Sequence, residues 1–242
     1  MLVSRLSLLL LLLFAARLAQ AASTAADGCV AAVAAMERAQ SRLENGNKAT
    51  FDAFDEEVRQ AYEVCRAADG PPDAKATAYK MWAIVGRDRK NAIAALFDGI
   101  EELEQRHGKD APEMLPLLLH LGLMVAGESR EEGTALLERA VAIQKQHRGE
   151  SSEQVAEGYM HLAVVAEGSG DFTLAEHHYR TAIDVARKAC GPQCRTLSTA
   201  ILSLTDIIKR DPRRAAEVAA LQREWEEASP REPRRKRKQA TE

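Results

Sequence analysis

The sequence predicts an all-α chain of stacked helix pairs, a short α-solenoid headed by a helical hairpin cap. Three observations carry this expectation. Apolar residues recur at three- and four-residue spacing through nearly every segment after residue 27, which is the periodicity of amphipathic helices. No run alternates β-branched and polar residues at period two over a useful length, so strands are not expected. Two stretches later in the chain also repeat each other at a fixed offset, the mark of a repeat architecture.

The first element is read as a signal peptide. Arg5, an apolar run from Leu6 to Ala16 and the small-residue triplet Ala19-Gln20-Ala21 follow the export pattern, with cleavage after Ala21. A membrane span needs about 20 apolar residues, and Arg17 and Gln20 interrupt the run too early. The approach to Cys29, Ala26-Asp27-Gly28, lacks the leucine and small residues of a lipoprotein site. A secreted or periplasmic protein with no transmembrane segment in its mature form is therefore expected. Removing Arg5 and Arg17 moves the formal charge from −3 to −5, and residues 229–242 hold six basic and two acidic residues, which leaves about −9 on residues 22–228. The body is acidic and its end basic.

Residues 22–69 are expected to form the hairpin. Helical periodicity runs over 28–44 and 50–68, separated by Asn45-Gly46-Asn47. Cys29 and Cys65 each lie eighteen residues from Asn47, so an antiparallel hairpin folded at that turn brings them to one level. Four cysteines in an exported chain suggest two disulfides. A Cys29–Cys65 bond restricts the unfolded chain by about 3–4 kcal/mol through loop-closure entropy. Asp69-Gly70-Pro71-Pro72-Asp73 then breaks the pattern, because its prolines cannot continue a helix.

Residues 70–228 are expected to carry helices near 74–87, 90–106, 112–127, 130–147, 152–168, 172–189, 195–209 and 212–228, grouped in pairs. His120-Leu121-Gly122 aligns with His161-Leu162-Ala163, and Gly133, Leu137 and Ala140 align with Ala175, Tyr179 and Ala182 one residue out of step. The leading segments Asp110-Ala111-Pro112-Glu113 and Ser151-Ser152-Glu153-Gln154 both read as capping boxes or close variants.

On Leu162-Ala163, Gly170-Asp171-Phe172, Ala175, Tyr179 and Ala182, the chain resembles the tetratricopeptide-repeat (TPR) family. The long connectors Arg148-Gly149-Glu150-Ser151 and Gly191-Pro192-Gln193 resemble its kinesin-light-chain variety. The resemblance is specific over 112–189, weaker over 195–228 and degenerate over 74–106. It implies a right-handed superhelix, a TPR-type α-solenoid, whose concave surface is lined by the first helix of each pair, and a scaffold that holds a partner without catalysing a reaction. That surface is expected to present Leu119, Leu123, Ala126, Met160, Val164 and Glu167. Some family members grip a terminal carboxylate with lysines in these helices, but here His120 and His161 stand at one such position. The expected ligand is instead an extended or helical segment of a protein, held by apolar contacts in an acidic surround.

Other chemistry is weighed against this reading. Cys190-Gly191-Pro192-Gln193-Cys194 invites a thiol-oxidoreductase reading, but three residues intervene where two are usual and no strand precedes. In the repeat alignment it falls in an inter-repeat loop, where a Cys190–Cys194 disulfide pins the turn. The six histidines, His107, His120, His147, His161, His177 and His178, have no Cys, Asp or Glu at spacing that completes a metal site. Neither metal nor cofactor is expected. Gly168-Ser169-Gly170 reads as a turn, not a nucleophile loop. The basic end, Arg234-Arg235-Lys236-Arg237-Lys238 within an expected disordered tail over 229–242, suits an anionic surface or the acidic body; export argues against nucleic acid. The leading expectation is an exported adaptor, and the alternative is an accessory structural subunit of a cell-envelope enzyme or secretion complex.

Overall fold

The computed structural model describes residues 25–43, 48–68, 70–86, 88–191 and 194–228. The expected signal peptide, the Asn45-Gly46-Asn47 turn and the basic tail lie outside them. Among the described residues the chain is all-α: α1 over 25–40, α2 Lys48–Ala67, α3 Pro72–Val85, α4 Arg89–His107, α5 Leu115–Val125, α6 Arg130–Arg148, α7 Glu153–Gly168, α8 Phe172–Cys190, α9 Arg195–Ile208 and α10 Ala215–Ala228. Two helices begin three residues later than their periodicity predicts, because Pro112–Met114 and Pro212–Arg214 form 3-10 turns ahead of α5 and α10. The chain divides into two compact units, up to Leu121 and from Gly122 onward.

In the first unit, α1 buries Cys29, Val33, Met36 and Ala39, and α2 buries Phe54, Val58, Ala61, Tyr62 and Cys65, with Ala68 buried just beyond its end. Each set falls on one stripe of its helix. Cys29 and Cys65 are bonded, with Cα atoms 4.7 Å apart. Ala78 and Met81 of α3 close the same core. The chain then crosses the disulfide at Gly70, where a Cβ atom would sit 2.9 Å from the Cys29 Cβ. Lys75 is only 1% exposed. Its Nζ donates to the Ala68 carbonyl at 2.7 Å and pairs with Glu102 at 2.5 Å, so the buried charge is satisfied on both sides. The Tyr79 hydroxyl donates to the same Glu102 at 3.0 Å. Gly99 lets α4 approach, since a Cβ there would lie 3.0 Å from the Tyr79 ring and 3.1 Å from Leu117.

The second unit repeats one construction. Ser129 accepts from Glu132 N, Ser152 from Val155 N and Asp171 from Leu174 N, so α6, α7 and α8 each begin on a side-chain cap. The cap of α7 is therefore Ser152 and not Ser151, and Ala111 leads the 3-10 turn before α5 with no side-chain cap. The box predicted from Ser151 to Gln154 does not form, because the cap of α7 falls one residue later. At Gly133, a Cβ would meet Ala126 Cα and the Gly122 carbonyl at 2.6 Å, so α5 and α6 cross in backbone contact. Further on, Ala175, Tyr179, Ala182 and Ile183 of α8 share a core with Leu197, Ile201 and Leu204 of α9. The terminal helix α10 fully buries only Leu221 and Ala228. It and the 3-10 turn ahead of it are tied to α8 by ion pairs: Arg187–Glu224 at 2.7 Å and Arg180–Glu217 from the helix, and Arg214–Glu176 at 2.7 Å from the turn.

Candidate functional site

The candidate site is the exposed side of α7. Glu153, Glu157 and His161 follow one another at four-residue steps and Val164 stands three further on, so these side chains share one face of the helix. Val155, Ala156, Leu162, Ala163 and Ala166 face inward and are buried. The inner stripe anchors the helix and leaves Val164 at 49% exposure.

Two clefts flank this face. The first, of about 420 Å³, lies between the end of α5 and the end of α7, with Leu123, Ala126, Arg130, Val164 and Gly168 in its wall. The Arg130 guanidinium is held at 3.0 Å from Asp171, the residue that also caps α8. The Leu174 amide first, then Arg130, keep the Asp171 carboxyl below the usual carboxylate range. The second cleft, of about 600 Å³, lies between α7 and α9 and is lined by Glu153, Glu157, Met160, His161, Val164, Arg195, Thr196 and Thr199. Thr196 donates to Glu153 at 2.7 Å. Loss of water, then the neighbouring Glu153 charge, raises the Glu157 carboxyl above its ordinary value. Burial lowers His161, so this imidazole favours its neutral form.

Four of the six residues named from the sequence, Leu123, Ala126, Met160 and Val164, line these clefts. Leu119, one turn earlier on α5, is half-buried. Glu167 makes contacts of its own: it accepts from the Tyr179 hydroxyl at 3.3 Å and from Arg210 at 3.4 Å. Burial first, then the charge of Glu167, pushes the Tyr179 hydroxyl up to about 12. Arg210 also stacks over the Phe172 ring at 4.2 Å. Sequence reading did not place Arg195, Thr196 and Thr199 on this surface. The signal was the position of α9 as a first helix, equivalent to α7, in the part of the chain where the repeat pattern is weakest.

Cys190 and Cys194 are bonded, with Cα atoms 5.6 Å apart. Cys194 Sγ lies 3.8 Å from Glu153 Oε1, and Glu153 with these two cysteines is the grouping among the described residues with atoms close enough to surround a metal ion. With the sulfurs bonded to each other there is no thiolate to act as ligand or nucleophile. His177 and His178 have ring centroids 5.6 Å apart, with His178 turned toward Tyr159 and its buried Nδ1 without a hydrogen-bond partner.

Solved structures share this architecture. BtubC (BKLC) from P. vanneervenii is 17% identical, with 87% of this chain and 95% of that one covered at a TM-score of 0.58. A Podosopora anserina protein of nearly identical TPR-like repeats, classed with the kinesin light chains, is 14% identical; 79% of this chain and 91% of that one superpose at 0.61. A singly substituted form of the same fungal protein gives 0.62. No protein-family model matches the sequence, and no curated protein does. The fold is that of a TPR-like repeat protein.

Proposed function

We propose that the protein is a non-catalytic adaptor that holds a segment of a partner protein along the exposed face of α7, between the end of α5 and α9. The observation that carries this reading is Val164, half exposed on an otherwise well-packed helix and shared by both clefts. An extended or helical segment lays apolar side chains on Leu123, Met160 and Val164, while Glu153 and Glu157 set an acidic border. The surface between α8 and α10 is less suited to a partner, because ion pairs already bridge it. Export through residues 1–21 fits the two disulfides, which persist in oxidising compartments. Among the described residues no helix is long and apolar enough to cross a membrane. The test is crosslinking in the native compartment with the wild type and with Leu123→Glu and Val164→Glu. We expect the main crosslinked partner to fall about tenfold or more in each variant, since each buries a charge in an apolar contact, at unchanged helical circular dichroism. Undiminished recovery from both overturns the reading.

A further inference from the structure

We propose that the chain's own basic end, residues 229–242, lies in the α7/α9 cleft and competes there with the partner; the competition, though not the tail's position, rests on the function proposed above.

The starting point is where α10 stops. Ala228 is 2% exposed and lines a small hollow together with Leu197 of α9. Leu197 directly follows Arg195 and Thr196, which belong to the α7/α9 cleft. Helix α10 therefore ends beside the first turn of α9, the turn that supplies Arg195 and Thr196 to the cleft. The fourteen residues of the basic end reach up to ~46 Å when extended, whereas Glu153 to Val164 spans only ~16 Å along α7.

Charge gives the direction. Residues 229–242 carry +4. On α7, Glu153 and Glu157 stand four residues apart, and among the described residues neither has an ion-pair partner; Glu153 is met by the Thr196 hydroxyl. Loss of water first, then the neighbouring Glu153 charge, holds Glu157 above its ordinary pKa, and a cation placed beside the two carboxylates relieves the second of these. Arg195 is the one lysine or arginine among the described lining residues. The basic cluster begins only at Arg234, six residues beyond Ala228. That is ~20 Å of chain, enough to pass Arg195 before the charges are presented to Glu153 and Glu157. Past these carboxylates, Met160 and Val164 offer apolar surface for the aliphatic stems of lysine and arginine. A tethered segment also acts at millimolar effective concentration, so a weak contact fills the cleft without a tight one.

Zero-length carbodiimide crosslinking of the full chain tests this. At low salt we expect isopeptide bonds within single chains from Lys236 or Lys238 to Glu153 or Glu157, falling about threefold or more at roughly 0.5 M salt. Tail lysines joined only to other carboxylates, or only between chains, overturn the proposal. A second measurement uses the full-length R234Q/R235Q/K236Q/R237Q/K238Q variant. The Met160 and Val164 methyl resonances should differ from wild type at low salt and converge at high salt, with Met36 in the hairpin core unmoved; coincidence at low salt likewise overturns it. The two readings fail separately. If Val164→Glu abolishes partner recovery and the tail crosslink is absent, only the present proposal falls. If partner recovery survives Val164→Glu, the partner reading falls, and with it the competition, whatever the tail does.

Discussion

At Gly133 the backbone of α6 lies so close to Ala126 and the Gly122 carbonyl that a single methyl group would overlap main-chain atoms. Main chain cannot rotate aside as a side chain can. Gly133→Ala should therefore cost about 2 kcal/mol and lower the melting temperature by roughly 4–8 °C. Thermal unfolding followed by circular dichroism checks this, with Gly168→Ala as the contrast, because an added Cβ there meets nothing within 4 Å. The sequence showed that position 133 must be small, since it aligns with Ala175. It did not show that alanine is already too large, because that depends on how closely two backbones cross. The same limit governed the candidate site. Leu123, Ala126, Met160 and Val164 were legible as first-helix residues at repeat-equivalent positions. The engagement of Glu167 by Tyr179 and Arg210 depends on partners 12 and 43 residues away and could not be read from helical spacing.

Among the elements, α10 shows how a helix with little buried surface is held. Glu176 of α8 accepts from both Arg214 and Arg180, and Arg214 in particular holds its carboxyl down to about 2. Because the folded pKa lies below the ordinary 4.5, the unfolded chain takes up the proton first as pH falls. The stabilisation is complete above the unfolded value and disappears as the solution is acidified from about 4.5 toward about 2. Glu176→Gln should lower the urea midpoint at neutral pH and flatten its decline over that window; an equally steep decline would show that the pair contributes no pH-linked stability. The helical character of 212–228 was legible from its apolar spacing, and only its 3-10 start was missed, where Pro212 opens a tighter turn. Its attachment was not legible. The charges that meet lie 37 or 38 residues apart, a relation visible only when successive repeats are superposed.

For the molecule as a whole, each compact unit carries one tryptophan, Trp82 in the first and Trp225 in the second. Replacing Cys29 and Cys65 by serine should destabilise the first unit by about 3–4 kcal/mol through release of loop-closure entropy. Trp82 fluorescence, followed in a Trp225→Phe background, should report a lower denaturant midpoint, while Trp225 followed in Trp82→Phe should move less. Equal shifts would contradict a stabilisation confined to the unit that holds the bridge. The all-α repeat architecture was legible because periodicity, breakers and self-similarity agreed with one another. Prolines 71 and 72 mark where α2 gives way to α3, and the compact units part inside α5, where the helix runs on unbroken. Val164 belongs to both hollows beside α7. On the proposed function, a short guest on one side would crowd out a guest on the other, whereas a long one would run across the valine and use both.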